Sequence, residues 1–407
     1  MKIQDIQKQI QEEQAEAWVL VDYENRNPVV ATLLGHKMLT RKIVLIIPAQ
    51  GRPTIVCHAI DQVFLKGEDI SRQFDLSVYK TWQEMLEGEK KALASYKKVL
   101  MDVSENGLLM RVSLADYGSV DFVKKLGIEV ASSMNVLQSL TAPISEKGKE
   151  LQKKACQIAL QIKDEAFQKI AQDVLSKGES DEYEIQQFIC DRFHEEGMVY
   201  DDPAIVAIGK NASDPHYGPT EKEHSPIRKG DLVLIDMWAK FDDPEAAYAD
   251  ITWMAYVGES VPEVYKKRFE IVKAARDGVI EFLKKNLPLR KVKAYEADDV
   301  ARSIISEAGY GEYFLHRVGH NISNDVSPHG PGANLDDYET LDSRYLLDQT
   351  SFSDEPGIYA PDFGMRSETD LYNDGGNLLV LAGQQEEIIP LLKKIRRGVP
   401  PYFILAL

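Results

Sequence analysis

Leu232-Val233-Leu234-Ile235-Asp236 and Ile251-Thr252-Trp253-Met254-Ala255-Tyr256-Val257 are the two stretches on which the reading of this chain turns. Both are short apolar runs rich in β-branched and aromatic residues, so both read as buried strands. Each also has a carboxylate at one end: Asp236 closes the first run, and Asp250, after Tyr248-Ala249, opens the second. A carboxylate beside apolar strand residues is costly to desolvate unless it is paired or bound to a cation. Residues of the same kind gather downstream. His316 and His320 flank Arg317-Val318-Gly319, and His329 follows shortly after. Glu355 sits in Asp354-Glu355-Pro356-Gly357-Ile358-Tyr359, and Glu368 in Gly364-Met365-Arg366-Ser367-Glu368-Thr369-Asp370. Several acids converging with an imidazole would suit divalent metal, in pairs of manganese, cobalt, iron or zinc rather than a structural thiolate zinc. Two such ions about 3.5–4 Å apart polarise a carbonyl, which is a hydrolase arrangement. Taken singly, each of these acids would serve equally as a cap, a turn residue or a surface charge.

Outward from this region the chain divides near residue 145. Ser145 is placed to cap a long helix over residues 146–176, whose apolar positions keep a roughly helical period. Further helices are predicted over 182–196, 261–285 and 295–308. Strands are predicted at Ile205–Ile208, over 351–359 and over 377–382. Residues 3–15 read as an amphipathic helix through Ile3, Ile6 and Ile10. Strands follow at Trp18–Asp22, Lys42–Ile47, Thr54–Cys57 and Lys98–Val103, with a helix over 81–95. Residues 1–145 therefore read as one α/β domain with few polar groups converging in sequence, and residues 146–407 as a second that holds the chemistry.

Composition narrows the partners. The chain has 407 residues, enough for two to three domains. Its formal net charge is −17, from 48 Lys and Arg against 65 Asp and Glu, the wrong balance for a protein that neutralises phosphates. The densest basic run, Lys393-Lys394-Ile395-Arg396-Arg397, is short and reads as a surface turn, so nucleic acid is not an expected partner. No run of about 18 apolar residues suggests a spanning helix, and the charged start lacks a signal-peptide core. Cys57, Cys156 and Cys190 are isolated and odd in number, as in reduced, buried cysteines of a cytoplasmic protein.

The motifs taken together resemble the pita-bread metallopeptidases, the family of Xaa-Pro aminopeptidases, prolidases, methionine aminopeptidases and creatinase. The resemblance runs in order through Gly209-Lys210-Asn211-Ala212-Ser213-Asp214-Pro215-His216-Tyr217, Leu234-Ile235-Asp236, Tyr248-Ala249-Asp250-Ile251-Thr252, Val318-Gly319-His320, Glu355-Pro356-Gly357-Ile358-Tyr359 and Gly364-Met365-Arg366-Ser367-Glu368. It covers roughly residues 146–385. It implies an α/β (α+β) protein with a C-terminal pita-bread catalytic domain (146–407) and a smaller N-terminal creatinase-type domain (1–145). It further implies two divalent metal ions, manganese first and cobalt, zinc or iron as alternatives. Asp236 would hold one ion, Asp250 and Glu368 would bridge both, and His320 and Glu355 would bind the second. Glu355 would also carry the proton, and His216 and His329 would act on substrate. His316 and Arg366 are expected at the substrate pocket, Arg366 by orienting Glu368. The implied reaction removes an N-terminal residue that precedes proline. Proline's imide has no N–H and a restricted φ, so it is poorly served by backbone-pairing peptidase sites. The family is often dimeric.

Several positions depart from the family pattern. The two aspartates are usually eleven apart in the family, and here 250 − 236 = 14, so the hairpin Trp238–Ala247 is about three residues longer. The family's Gly-His-Gly-Ile-Gly becomes Gly319-His320-Asn321-Ile322-Ser323. Its second histidine usually follows the first by seven; position 327 is Ser, and His329 stands nine away behind an inserted Ser327-Pro328. Trp253 stands where Arg is frequent, and Trp238 two residues after Asp236. Two rival readings accompany the peptidase: a metal-free, creatinase-like C–N hydrolase, and a non-catalytic peptide-binding module on the same fold.

Overall fold

A computed structural model describes residues 3–67, 70 and 72–393, so Lys394–Arg397 of the basic run lie outside the described residues. The chain divides into two compact units, Met1–Thr141 and Ala142–Leu407.

The first unit is built on a six-stranded mixed sheet in the order Asp75–Tyr79, Thr54–His58, Ile43–Pro48, Ala17–Asp22, Lys98–Met101, Glu129–Ser132. Its two central strands, Ile43–Pro48 and Ala17–Asp22, are buried at every position because both faces are covered. Trp18 and Leu20 join Leu45, Ile55 and the helix residues Ile6 and Ile10 on one side. Val19 joins Val44, Val56 and Leu93 on the other. Helix Trp82–Leu93 starts at a capping box, in which Thr81 Oγ1 accepts from the Glu84 amide at 3.2 Å and the Glu84 carboxylate accepts from the Thr81 amide. The edge strands Asp75–Tyr79 and Glu129–Ser132 were not predicted, since neither carries a sustained apolar run.

The second unit is organised by the antiparallel pairing of Leu232–Phe241 with Ala249–Tyr256. Ile205–Ile208 adds a strand against the first of these. The sheet is sandwiched. Helix Glu146–Lys177, 32 residues and about 48 Å long at 1.5 Å per residue, lays Ala155, Ala159, Ile162 and Ala166 on Val233, Ile235, Met237 and Ile251. Ser145 Oγ accepts from the Gly148 amide at 3.1 Å to cap that helix, and Gly178 ends it at φ 91°. On the other face, Leu232, Leu234 and Met254 meet helices Glu263–Asn286 and Tyr295–Glu307.

A second antiparallel sheet, Thr350–Asp354, Thr369–Asp374 and Asn377–Val380, and the hairpin Gly357–Ala360/Phe363–Arg366 complete the unit. The region predicted as one strand over 351–359 is thus two, separated at Glu355-Pro356, where proline cannot donate to a ladder. No described helix is long and apolar enough to cross a membrane.

Candidate metal centre

The register of the central hairpin decides which side chains meet. Asp236 pairs with Thr252 and Trp238 with Asp250. Side chains alternate along a strand, so these four project from one face while Ile235, Met237 and Ile251 project from the other, under the long helix. Asp236 and Asp250 are therefore diagonal neighbours on this face, and both are buried.

The other acids arrive from the second sheet. Glu368 lies between strands Phe363–Arg366 and Thr369–Asp374, and its amide donates to the Thr252 carbonyl at 3.2 Å, which fastens it to the hairpin. Thr252 Oγ1 donates to Glu368 Oε2 at 2.7 Å. His320 precedes the isolated bridges Asn321↔Phe352 and Ile322↔His329. Its Nδ1 faces the Asn321 carbonyl at 3.1 Å, a contact that needs a proton on Nδ1. Nε2 stands 3.4 Å from Asp250 Oδ2 and 3.6 Å from Glu355 Oε1. One ligand atom from each of Asp250, His320 and Glu368 falls within 4.8 Å of the others.

These groups line a cavity of about 340 Å³ together with Asp236, Glu355, Arg366, His216, His316 and His329. Each residue predicted for the site is thus at one cavity, although they come from six separate stretches of sequence. Arg366 is buried, and its contacts differ from the predicted one. Its Nη2 pairs closely with Asp236 Oδ2, Nε donates to Thr252 Oγ1 at 3.0 Å, and Nη1 donates to the Tyr359 hydroxyl at 2.7 Å. It therefore reaches Glu368 only through Thr252. The Tyr359 hydroxyl stands 2.7 Å from His316 Nε2, and His316 Nδ1 faces the Arg317 carbonyl at 2.6 Å. Burial, with Arg366 nearby, lowers the His316 pKa to about 3, so its ring is neutral and accepts from Tyr359.

The electrostatics are those of a site built for cations. Burial, then the charge of Glu368 and Asp236, raises Asp250 well above the usual carboxylate range. Burial, then Glu355 and Asp236, does the same to Glu368. Burial lifts Glu355 to about 7. Asp236 Oδ1 is buried without a hydrogen-bond partner. Four crowded carboxylates, one of them with an orphaned oxygen, and one imidazole form a donor set that fits hard or borderline divalent ions.

His216 and His329 are exposed at the cavity, on loops that are fixed from below. The His216 loop is gathered by Glu182, fully buried at the start of helix Glu182–Glu195. Glu182 accepts from the Ile208 amide (2.8 Å), the Ser225 amide (2.7 Å), Asn211 Nδ2 (3.0 Å) and the Tyr217 hydroxyl (2.7 Å). Gly364 is required by the same loop: a Cβ there would lie 1.5 Å from the Ala212 carbonyl oxygen. The His329 ring lies 4.1 Å from the His320 ring, centroid to centroid. Asn321, in place of a family glycine, fits because Gly330 and Gly332 give it room, and its amide is satisfied by the Ser351 carbonyl and the Gly332 amide, each at 2.8 Å.

Sequence reading missed Thr252, Tyr359 and Asp370. Asp370 Oδ2 accepts from the Asp250 amide and from the Cys156 thiol, both at 3.1 Å. Thr252 alone carried a usable signal, since two residues after Asp250 is the same strand face.

Known proteins resemble this chain in sequence and fold. The sequence profile of metallopeptidase family M24 matches residues 150–373. The chain is 33% identical over 193 residues to an Xaa-Pro dipeptidase of Lactobacillus helveticus, a match spanning 46% of this chain and 47% of that protein. It is 30% identical over 276 residues to an Xaa-Pro dipeptidase of Pyrococcus horikoshii, covering 67% of this chain and 71% of the relative. The crystal structure of the prolidase from Pyrococcus horikoshii OT3 superposes with a TM-score of 0.55 and 25% identity, over 95% of this chain and 99% of that one.

Proposed function

This chain belongs to metallopeptidase family M24 and has its pita-bread fold, and from that premise we propose a dinuclear, divalent-metal-dependent dipeptidase that cleaves the bond before proline. One observation carries the reading: Asp250, His320 and Glu368 converge in a buried cavity beside an unpartnered Asp236 oxygen, with two histidines at its mouth. The names of the Xaa-Pro dipeptidase relatives support the substrate class. A cavity of about 340 Å³ supports a small substrate, near the lower end of the roughly 300–1,000 Å³ range of ligand sites.

Asp236, Asp250, His320, Glu355 and Glu368 would hold the ions, and manganese is our first choice for a set of four carboxylates and one imidazole. What a divalent pair adds when bound is Lewis acidity toward a carbonyl and a water. The chain supplies the rest. Arg366 and Thr252 fix Asp236 and Glu368, so these acids need no reorganisation to receive cations. Glu355 accepts the proton from the attacking water and returns it to the proline nitrogen, which has none of its own, as the C–N bond breaks. His216 and His329 donate hydrogen bonds to the substrate from the cavity mouth. We read residues 1–141 as the creatinase-type domain.

The test is metal analysis of the purified protein alongside proline release from an Xaa-Pro dipeptide, before and after chelation. Two ions per chain and release that chelation abolishes and manganese restores are expected. Release by the metal-free protein would favour the creatinase-like hydrolase. Full metal loading without release would favour the binding module.

A further inference from the structure

The two stretches that are longer than the family pattern, the hairpin between Asp236 and Asp250 and the loop before His329, touch each other. The bridge Ile322↔His329 and the Ser323 amide donating to the Pro328 carbonyl at 2.8 Å close residues 323–328 into a loop. Val326 is exposed at its tip. A polar loop of this kind would be mobile unless its backbone groups were tied down. They are tied to the hairpin. Lys240 Nζ donates to the Asn324 carbonyl at 2.7 Å, and the Tyr248 hydroxyl to the Val326 carbonyl at 2.6 Å. The Tyr248 amide donates to the Ser323 carbonyl at 3.1 Å, and Asn324 Nδ2 to the Pro244 carbonyl at 3.3 Å. Tyr248 is 1% exposed, so its hydroxyl is carried on a ring locked among Ile144, Ile322 and Tyr372.

We propose that Tyr248 and Lys240 are positioning residues for His329. Lys240 stands four residues after Asp236, and Tyr248 two before Asp250. One rigid hairpin therefore carries two of the acids and also grips the loop that carries the imidazole, so the distance between them is set by a single element. The inserted residues do not loosen His329, because the enlarged hairpin supplies the side chains that hold them. A misplacement of about 1 Å at a catalytic group can cost on the order of 10²-fold, which is the scale of what this brace protects.

The proposal rests on the reading that His329 acts on substrate, and its test separates the two. Tyr248→Phe, Lys240→Met, His329→Ala and the two double variants with His329→Ala are compared in kcat and metal content on one Xaa-Pro dipeptide. Each brace variant is expected to lower kcat about tenfold with metals retained. In the His329→Ala background neither should lower it further, because the group being positioned is gone. Multiplicative losses in the doubles, or loss of metal with activity, would overturn the proposal. Hydrogen exchange at residues 323–330 supplies a readout free of turnover: both brace variants should exchange faster there than the parent chain. Protection unchanged in both would overturn the brace even if the chain cleaved no Xaa-Pro peptide, an outcome that would count against the peptidase reading alone.

Discussion

Asp102 in the first unit and Asp236 in the second are both buried carboxylates at the ends of apolar strand runs, and they are treated in opposite ways. Asp102 accepts from Trp18 Nε1 at 2.8 Å, Ser133 Oγ at 2.6 Å and Asn27 Nδ2 at 3.1 Å. Neutral donors surround its charge. Asp236 has one oxygen taken by Arg366 and the other left without a partner, in a cavity shared with Asp250, Glu355 and Glu368. Asp102 thus has its carboxylate met by the protein, whereas Asp236 keeps one oxygen open, at a cost of about 1–3 kcal/mol while nothing fills it.

The largest effect should come from removing one of the acids proposed to hold the ions. Asp250→Ala is expected to abolish metal retention and hydrolysis together, while the thermal stability of the stripped protein rises, because a carboxyl that burial and the neighbouring acids make costly to ionise leaves the site. Metal content unchanged in that variant would remove Asp250 from the ligand set and break the contrast with Asp102.

His216→Ala should lower turnover on the order of 10²-fold with metals still bound, since the residue is exposed at the cavity mouth and the acids are complete without it. Loss of metal in this variant would make His216 a ligand of the ions instead of a group that acts on substrate.

The smallest effect sharpens the other side of the comparison. Asp102→Asn should leave turnover unchanged and destabilise the protein by about 2 kcal/mol, the cost of disturbing a charge-assisted buried network. Burial raises the Asp102 pKa above its ordinary value in spite of its three donors. A folded pKa above the unfolded one means that the native state binds the extra proton. The stabilisation from that proton is fully present below the unfolded pKa, near 3.9, and is lost as pH rises through the folded pKa. Asn cannot titrate, so the stability gap between parent and variant should widen as pH is lowered from 7. A gap constant with pH, in denaturation followed by circular dichroism, would contradict the assignment.

Much of this molecule could be read from residues alone, and the gaps have physical causes. The runs Ala17–Asp22, Leu232–Ile235 and Glu146–Lys177 announced themselves because burial on one or both faces imposes a period. Phe363–Arg366 and Thr369–Asp374 escaped as strands because Arg366, Thr369 and Asp370 break the apolar pattern there; those positions are kept polar for the site. The acids and histidines were legible through the resemblance, in order along the chain. What holds them was not, because Arg366 reaches Asp236 and Thr252 reaches Glu368 across more than a hundred residues, and no local rule links such pairs. The bracing of the His329 loop lay equally out of reach. The two unusual lengths could be counted in sequence, but only folding brings them into contact.

Cys156 gives this architecture a gauge. Its thiol is fully buried on the long helix and donates to Asp370, the residue that accepts the Asp250 amide. Burial and the nearby Asp370 push its pKa well above the usual thiol range, so a thiol reagent finds neither access nor thiolate while the helix lies on the sheet. Alkylation at this sulfur can proceed only as fast as the helix lifts from the hairpin. Its rate, read by mass spectrometry peptide by peptide, times the opening of the centre from the side that substrate does not approach.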